Sequence, residues 1–253
     1  MRSQHGGRHE LGQNFLVHTP TIRTIRDLVA RTEGPILELG PGDGALTDEL
    51  VPLGRSLRAV ELDEHRARRL RRRLPGVDVQ HADALRVRFD LPVVVGNIPF
   101  HITTPLLRRL LSQGTWQRAI LLTQWEVARK RAGVGGATMM TAQTAPWFSF
   151  ELHGRVPAHR FRPVPSVDGG ILSITRRGSP LLPLSDRVGF ERFARDLFTG
   201  RGRGIEQIVR ARTGRTAPQV RRVLQQAGVA RDALPRDLTP AQWTVLWEAL
   251  RAR

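Results

Sequence analysis

The stretch Ile36-Leu37-Glu38-Leu39-Gly40-Pro41-Gly42-Asp43-Gly44-Ala45-Leu46-Thr47 constrains the fold of this chain more than any other. A short apolar run that breaks into glycines at every second position, followed at once by helix formers, reads as a buried strand, a tight turn and a helix start. With no Cβ at Gly40, Gly42 and Gly44, the backbone can turn sharply and come within contact distance of a ligand. The spacing matches neither the G-x-G-x-x-G of a pyrophosphate loop nor the G-x-x-x-x-G-K-[ST] of a triphosphate loop. It suits a ligand without a phosphate tail. Downstream, Arg58-Ala59-Val60-Glu61 reads as a second strand ending in a carboxylate about 20 residues past the loop, where an acid that accepts from ribose hydroxyls is expected.

Around this loop the chain alternates. Residues 36–39, 57–61, 77–80, 91–97 and 119–123 read as strands, and helices are expected near 44–53, 64–74 and 103–112. A further helix over 19–30 opens at Thr19-Pro20 and puts Ile22, Ile25, Leu28 and Val29 on one face. Such alternation predicts an α/β class domain, Rossmann-like and doubly wound on a parallel sheet. The loops at its strand ends, Gly40–Gly44, Glu61, Asp83 and Asn97, then line one crevice. The arginine-rich helix at 64–74 reads as a solvated face.

The alternation ends near Arg176-Arg177-Gly178-Ser179-Pro180. Beyond it, Phe190, Phe193, Leu197 and Phe198 share a helical face, and Thr216 with Gln219 and Thr239 with Gln242 make capping boxes. The expected organisation is therefore a basic flexible arm over 1–10, a catalytic α/β domain over 11–177 and a small all-helical, arginine-studded RNA-binding domain over 178–253.

Charge decides the partner. Basic residues number 40 against 23 acidic, a net charge of +17, and Lys130 is the only basic residue other than arginine in that count. A field of that sign favours a polyanion, and nucleic acid fits better than an anionic membrane surface. Cysteine is absent, which excludes disulfides and a thiol nucleophile. The eight histidines show no paired ligand spacing, so no metal site is expected, and no G-x-S-x-G motif presents a serine nucleophile. No apolar run approaches the roughly 18 residues of a membrane span, and a soluble cytoplasmic protein is expected.

The chemistry concentrates in Asn97-Ile98-Pro99-Phe100, which closes the 91–97 strand at the crevice. An amide side chain followed by apolar-Pro-aromatic offers two acceptors, the Asn97 side-chain oxygen and the Ile98 carbonyl, beside the ring of Phe100. An exocyclic amino group of a base has two N–H bonds to give and a π-face to stack. Holding both protons draws the nitrogen lone pair out of conjugation and frees it to attack an electrophilic methyl group. Positioning and electrostatics suffice, without a strong base or metal.

These residues carry a resemblance. Leu11-Gly12-Gln13-Asn14-Phe15-Leu16, Glu38-x-Gly40-x-Gly42-x-Gly44, Glu61, Ala82-Asp83-Ala84, Asn97-Ile98-Pro99-Phe100 and Phe161-Arg162-Pro163-Val164-Pro165-Ser166-Val167 follow the order seen in the ribosomal RNA adenine N6-methyltransferases. Within that family the chain most resembles the Erm type, which confers macrolide, lincosamide and streptogramin B resistance. The resemblance covers nearly all of residues 8–176 and implies a class I methyltransferase domain using S-adenosylmethionine. By position it implies cofactor contacts at Asn14, Leu16, Gly40, Gly42, Glu61, Leu62, Asp83, Ala84 and Asn97. Glu61 would hold the ribose, Asp83 the adenine amino group of the cofactor, and Gly40 the methionine part. It further implies that Phe100 and Phe161 sandwich a flipped target adenine, with Asn97 and the Ile98 carbonyl accepting its amino protons and Pro99 shaping the turn. The family commonly carries Tyr where Phe100 stands, and this chain contains no tyrosine.

The implied partner is large-subunit ribosomal RNA, protein-free or before assembly, met by a monomer. Two other readings stay open at this point. A sister class methylates small-subunit RNA, usually with Leu before the motif proline where this chain has Ile98. A non-catalytic RNA-binding assembly or transcription factor on the same scaffold would be expected to lose acceptors or cofactor groups, yet Asn97, Glu61 and Asp83 are all present.

Overall fold

A computed structural model of the protein describes residues 14–251. The expected arm over 1–10, and Leu11 to Gln13 of the first motif, lie outside the described residues. In chain order the elements begin with β1 (Phe15–Leu16), α1 (Thr19–Ala30), β2 (Ile36–Leu39), α2 (Ala45–Leu50), β3 (Leu57–Glu61), α3 (Glu64–Arg73) and β4 (Asp78–His81). They continue with β5 (Val93–Asn97), α4 (Thr103–Ser112), β6 (Arg118–Gln124), α5 (Trp125–Arg131), α6 (Met139–Thr144), β7 (Phe148–Val156), β8 (Phe161–Arg162) and β9 (Gly169–Arg176). Four helices close the chain: α7 (Arg187–Phe198), α8 (Ile205–Thr213), α9 (Ala217–Gln226) and α10 (Pro240–Leu250).

Two compact units emerge. One holds residues up to Ala128 together with Glu151–Thr175; the other holds Arg129–Phe150 and the chain from Arg176 onward. The change of unit after Thr175 lies close to the boundary expected at 177, whereas residues 129–150, expected in the α/β domain, group with the helices.

The seven-stranded sheet runs β4-β3-β2-β5-β6-β9-β7. Strand β2 is buried at all four positions, as a central parallel strand covered on both faces must be. It pairs in parallel with β3 on one side (Leu39 opposite Val60) and with β5 on the other (Leu39 opposite Gly96). The chain winds outward through β3 and β4, then returns across β2 to start β5. That reversal opens a crevice beyond the carboxyl ends of β2 and β5. The sheet is not parallel throughout: β9 runs antiparallel to β6, Leu122 facing Ile171. An antiparallel neighbour needs no crossover helix, so the βαβ rhythm that predicts parallel strands ends at β6.

Gly96 shows how tightly β2 and β5 approach. A Cβ built there would lie 2.4 Å from the Leu39 carbonyl oxygen and 3.2 Å from the Leu39 side chain. Backbone cannot yield as a flexible side chain can. Gly96→Ala is therefore expected to destabilise the fold by about 1–3 kcal/mol, the usual cost of overpacking, read as a lowered denaturant midpoint with unchanged slope. A variant as stable as the parent would show that β5 shifts freely.

A two-stranded ribbon sits beside the main sheet. Strand β1 pairs antiparallel with β8, Phe15 opposite Arg162 and Leu16 opposite Phe161. The end of the first motif thus forms a short strand, with Leu16 buried in the core that includes Ile22, Ile25 and Phe161.

The helical unit closes around aromatic rings. Phe190 meets Trp147, Trp243 and Trp247 edge-on at 5.7–6.3 Å, and Phe198 stacks on Trp243 at 5.9 Å. Both capping boxes form: the Gln219 and Gln242 side chains each accept from the N-cap threonine N–H at 2.9 Å. Among the described residues no helix is long and apolar enough to cross a membrane.

Candidate active site

The glycine loop adopts the conformations its composition allows. Gly40, Gly42 and Gly44 all have positive φ, at 66°, 58° and 90°. Space over them differs, and the difference locates the cavity. A Cβ on Gly42 would collide with the Phe15 ring at 2.7 Å and one on Gly44 with Leu70 at 2.7 Å. Over Gly40 the nearest atom is the Asn97 carbonyl oxygen at 3.8 Å. Gly40 is thus the point where the loop opens to a ligand.

Glu61, at the end of β3, is buried and holds the loop in shape. Its Oε2 accepts from the Gly42 N–H and its Oε1 from the Asp63 N–H, both at 2.9 Å. Each oxygen keeps a further lone pair. From outside, Arg66 on α3 pairs with Asp43 at 2.6 Å and lays its guanidinium over Phe15 at 4.4 Å. Arg69 also binds Asp43, while Arg73 reaches Asp48 at 2.8 Å and the Asp43 carbonyl at 3.0 Å. Part of the arginine helix expected to be only solvated therefore clamps the loop.

Asn97, at the end of β5, is fixed by a residue far away in sequence. Its Nδ2 donates to the Asn14 carbonyl at 2.7 Å. Only the amino end of an amide can donate to a carbonyl, so the contact leaves the Asn97 side-chain oxygen as the free acceptor. The next peptide is held too, because the Ile98 N–H donates to the Leu122 carbonyl at 2.9 Å.

Asn14, Phe15, Gly40, Gly42, Glu61, Asn97, Ile98, Pro99 and Phe100 line one small cavity. Phe15, Gly40 and Asn97 also line a second, larger one over Leu16, Glu38 and Leu46. Of the expected cofactor positions, Leu62, Asp83 and Ala84 line neither. Asp83 instead accepts from the Leu85 N–H at 2.8 Å, forming the turn after β4, and Leu62 is exposed.

Phe161 departs furthest from expectation. Its side chain is fully buried and its ring meets Phe100 at 6.2 Å with 72° between planes. The rings touch edge to face, the arrangement their quadrupoles favour, rather than facing across a slot as wide as a base. Pairing of Leu16 with Phe161 and close contact with Gly169 keep Phe161 in the core.

Three residues emerge that sequence reasoning passed over: Phe15, Arg66 and Glu38. Glu38 could have been noticed as a carboxylate inside an otherwise apolar strand. It is buried, and its Oε2 has no hydrogen-bond partner. Burial, more than any neighbour, pushes its carboxyl up to about 8; Thr47 offsets part of this, and Asp48 and Glu61 add to it. Below about pH 4.5 the group is protonated folded or unfolded. Between about 4.5 and 8 only the unfolded chain releases the proton, so stability falls by up to about 1.4 kcal/mol per pH unit and levels off above 8. Denaturant titrations at several pH values are expected to show a Glu38→Gln variant gaining on the parent as pH rises through this window. Parallel profiles would mean that Glu38 ionises freely.

Among the described residues, neither cavity is lined by a basic side chain, although the protein as a whole is strongly basic. The Glu61 carboxylate faces the first cavity from the end of β3, Asp43 at the second is neutralised by Arg66 and Arg69, and Glu38, protonated at neutral pH, adds no charge. This donor set fits a cationic nucleoside without phosphate and disfavours a dinucleotide.

Similarity to known proteins points the same way. Residues 4–251 match the family described as ribosomal RNA adenine dimethylase. An rRNA adenine N-6-methyltransferase of Corynebacterium diphtheriae is 52% identical over 208 residues, covering 81% of this chain and 82% of that protein. The mycinamicin-resistance protein MyrB of Micromonospora griseorubida is 52% identical over 254 residues, covering 97% and 80%. Among solved structures, the 23S rRNA methyltransferase ErmE superposes with a TM-score of 0.84 at 35% identity, over 94% of this chain and 99% of that one. With a glycine crevice at the carboxyl ends of the strands, an oriented Asn97 acceptor and a family match along almost its whole length, the chain belongs to the ribosomal RNA adenine dimethylases.

Proposed function

We propose that this protein transfers methyl from S-adenosylmethionine to the N6 amino group of one adenine in 23S ribosomal RNA, and that this modification confers resistance to macrolide-type antibiotics. The observation that carries the reading is Asn97, locked by the Asn14 carbonyl with its acceptor oxygen free at the carboxyl end of β5. The relatives at 52% identity favour it over the small-subunit and non-catalytic alternatives.

Gly40 and Glu61 are the residues proposed to hold the cofactor, Gly40 through open backbone and Glu61 through its spare lone pairs. When bound, S-adenosylmethionine supplies a methyl group on a positively charged sulfur. The chain does the rest by placement. Asn97 Oδ1 and the Ile98 carbonyl accept the two amino protons of the target adenine, which concentrates electron density on N6. Pro99 removes a competing donor from the turn, and Phe100 presents a ring on which the extruded base stacks. Stacking at about 1–3 kcal/mol offsets a base extrusion of similar size. A base taken between both rings would have to part the Phe100–Phe161 contact. We place Asn14, Leu16 and Gly42 as supports of this arrangement, and Leu62, Asp83 and Ala84 at its adenine-binding rim. The protein is proposed to act in the cytoplasm as a monomer on protein-free RNA.

Transfer of labelled methyl to protein-free large-subunit and small-subunit RNA, side by side and with the modified base mapped, tests the reading. Label at a single large-subunit adenine is expected. Label confined to small-subunit RNA would move the chain to the sister class.

A further inference from the structure

The helical unit carries a second charged feature that the methyl-transfer chemistry leaves unused. Glu206, in the first turn of α8, has a side chain only 8% exposed, yet it faces an open surface concavity. Its Oε1 accepts from Arg221 Nε on α9 at 2.9 Å, and its Oε2 from Arg231 Nε at 2.5 Å. The backbone tightens the same knot: the Glu206 N–H donates to the Arg231 carbonyl at 3.2 Å. These hydrogen bonds, Arg231's foremost, hold the Glu206 carboxyl below its usual range, so the clasp stays charged at neutral pH.

The manner of pairing is informative. A guanidinium that served only to neutralise Glu206 would be expected to close on it with two parallel bonds. Here each arginine makes one, through Nε, which orients the guanidinium and leaves its terminal N–H groups for another acceptor. Arg203, just before the extended N-cap Gly204, and Arg210, one turn after Glu206 on α8, line the same concavity. With Asp232 the only other acid among the described lining residues, positive charge is in excess.

We propose that this concavity is a second RNA contact, in which Arg203, Arg210, Arg221 and Arg231 grip a backbone phosphate of the RNA substrate. Every lining residue is charged, polar or glycine, so nothing is available to insert into a bilayer. A phosphate contact positions the RNA without reading its sequence. The proposal takes its ligand from the RNA-substrate reading above but is indifferent to which adenine is methylated.

The test uses the full-length protein and a protein-free fragment of large-subunit RNA, with affinity followed by fluorescence anisotropy across KCl concentration. Arg203→Gln/Arg210→Gln removes charge without touching the clasp. Glu206→Gln/Arg221→Gln/Arg231→Gln removes the clasp without stranding a buried charge. Both are expected to bind RNA roughly ten-fold more weakly near physiological salt, with the slope of log affinity against log salt shallower by about one. Michaelis constants for RNA should rise while turnover and cofactor affinity stay put. Parent-like salt slopes in both folded variants would overturn the proposal, leaving the clasp a purely structural tie. So would RNA affinity that is unchanged while binding to phosphatidylglycerol vesicles is lost. Failure of the parent protein itself to bind any ribosomal RNA would instead count against the RNA-substrate reading.

Discussion

Replacing Asn97 by Ala is expected to lower turnover roughly a thousand-fold while leaving thermal stability close to that of the parent. Asn97 is only partly buried and its side chain makes one hydrogen bond within the protein, to the Asn14 carbonyl. Losing it costs about 1 kcal/mol of folding stability at most. Its proposed acceptor, by contrast, acts where charge develops in the reaction, and removing one such preorganised group typically costs 10²–10³-fold in rate. Asn97→Asp sharpens the test. It keeps an acceptor but sets a carboxylate oxygen against the Asn14 carbonyl, which loses its donor and turns the side chain away. Single-turnover assays with saturating RNA separate rate from binding. An Asn97→Ala enzyme of parental rate would end the amino-acceptor mechanism.

The second large effect concerns Glu61. In Glu61→Ala the Gly42 and Asp63 amides lose their buried acceptor together, at about 1–3 kcal/mol each. The variant is expected to be less stable by about 2–6 kcal/mol and to bind S-adenosylmethionine at least about 100-fold more weakly, since hydrogen bonds to a charged group contribute about 1.5–3 kcal/mol each. Glu61→Gln divides the two roles. One amide oxygen can still serve one of the two N–H groups, so most stability returns, whereas the charge that faces a cationic ligand does not. Calorimetric titration beside thermal melts checks this. Cofactor affinity in Glu61→Gln equal to that of the parent would confine Glu61 to the loop.

Local chemistry was legible along the chain. Strands 36–39 and 57–61 and helices 19–30 and 103–112 lie at the residues that pattern alone predicts, because apolar period, glycine turns and caps act over a few residues. Both capping boxes and the crevice at the ends of β2, β3 and β5 follow from the same short-range rules. The identity of the glycine loop as one without phosphate was also local, being a matter of spacing.

What pattern could not supply depends on residues meeting across the fold. The Asn14–Asn97 bond, the pairing of β1 with β8 and the antiparallel placement of β9 join segments with no local signature of one another. Grip of the loop by Arg66, Arg69 and Arg73 is of this kind, since a run of arginines reads identically whether or not acids wait opposite. So is the edge-on packing of Phe161: motif order names the ring, but only the surrounding core sets its plane. The chain by itself determined the glycine turn, Glu61 and the Asn97–Phe100 segment, and the strand ends that carry them. Tertiary structure alone decided which way those groups face, because orientation is set by hydrogen bonds and packing between residues that sequence holds far apart.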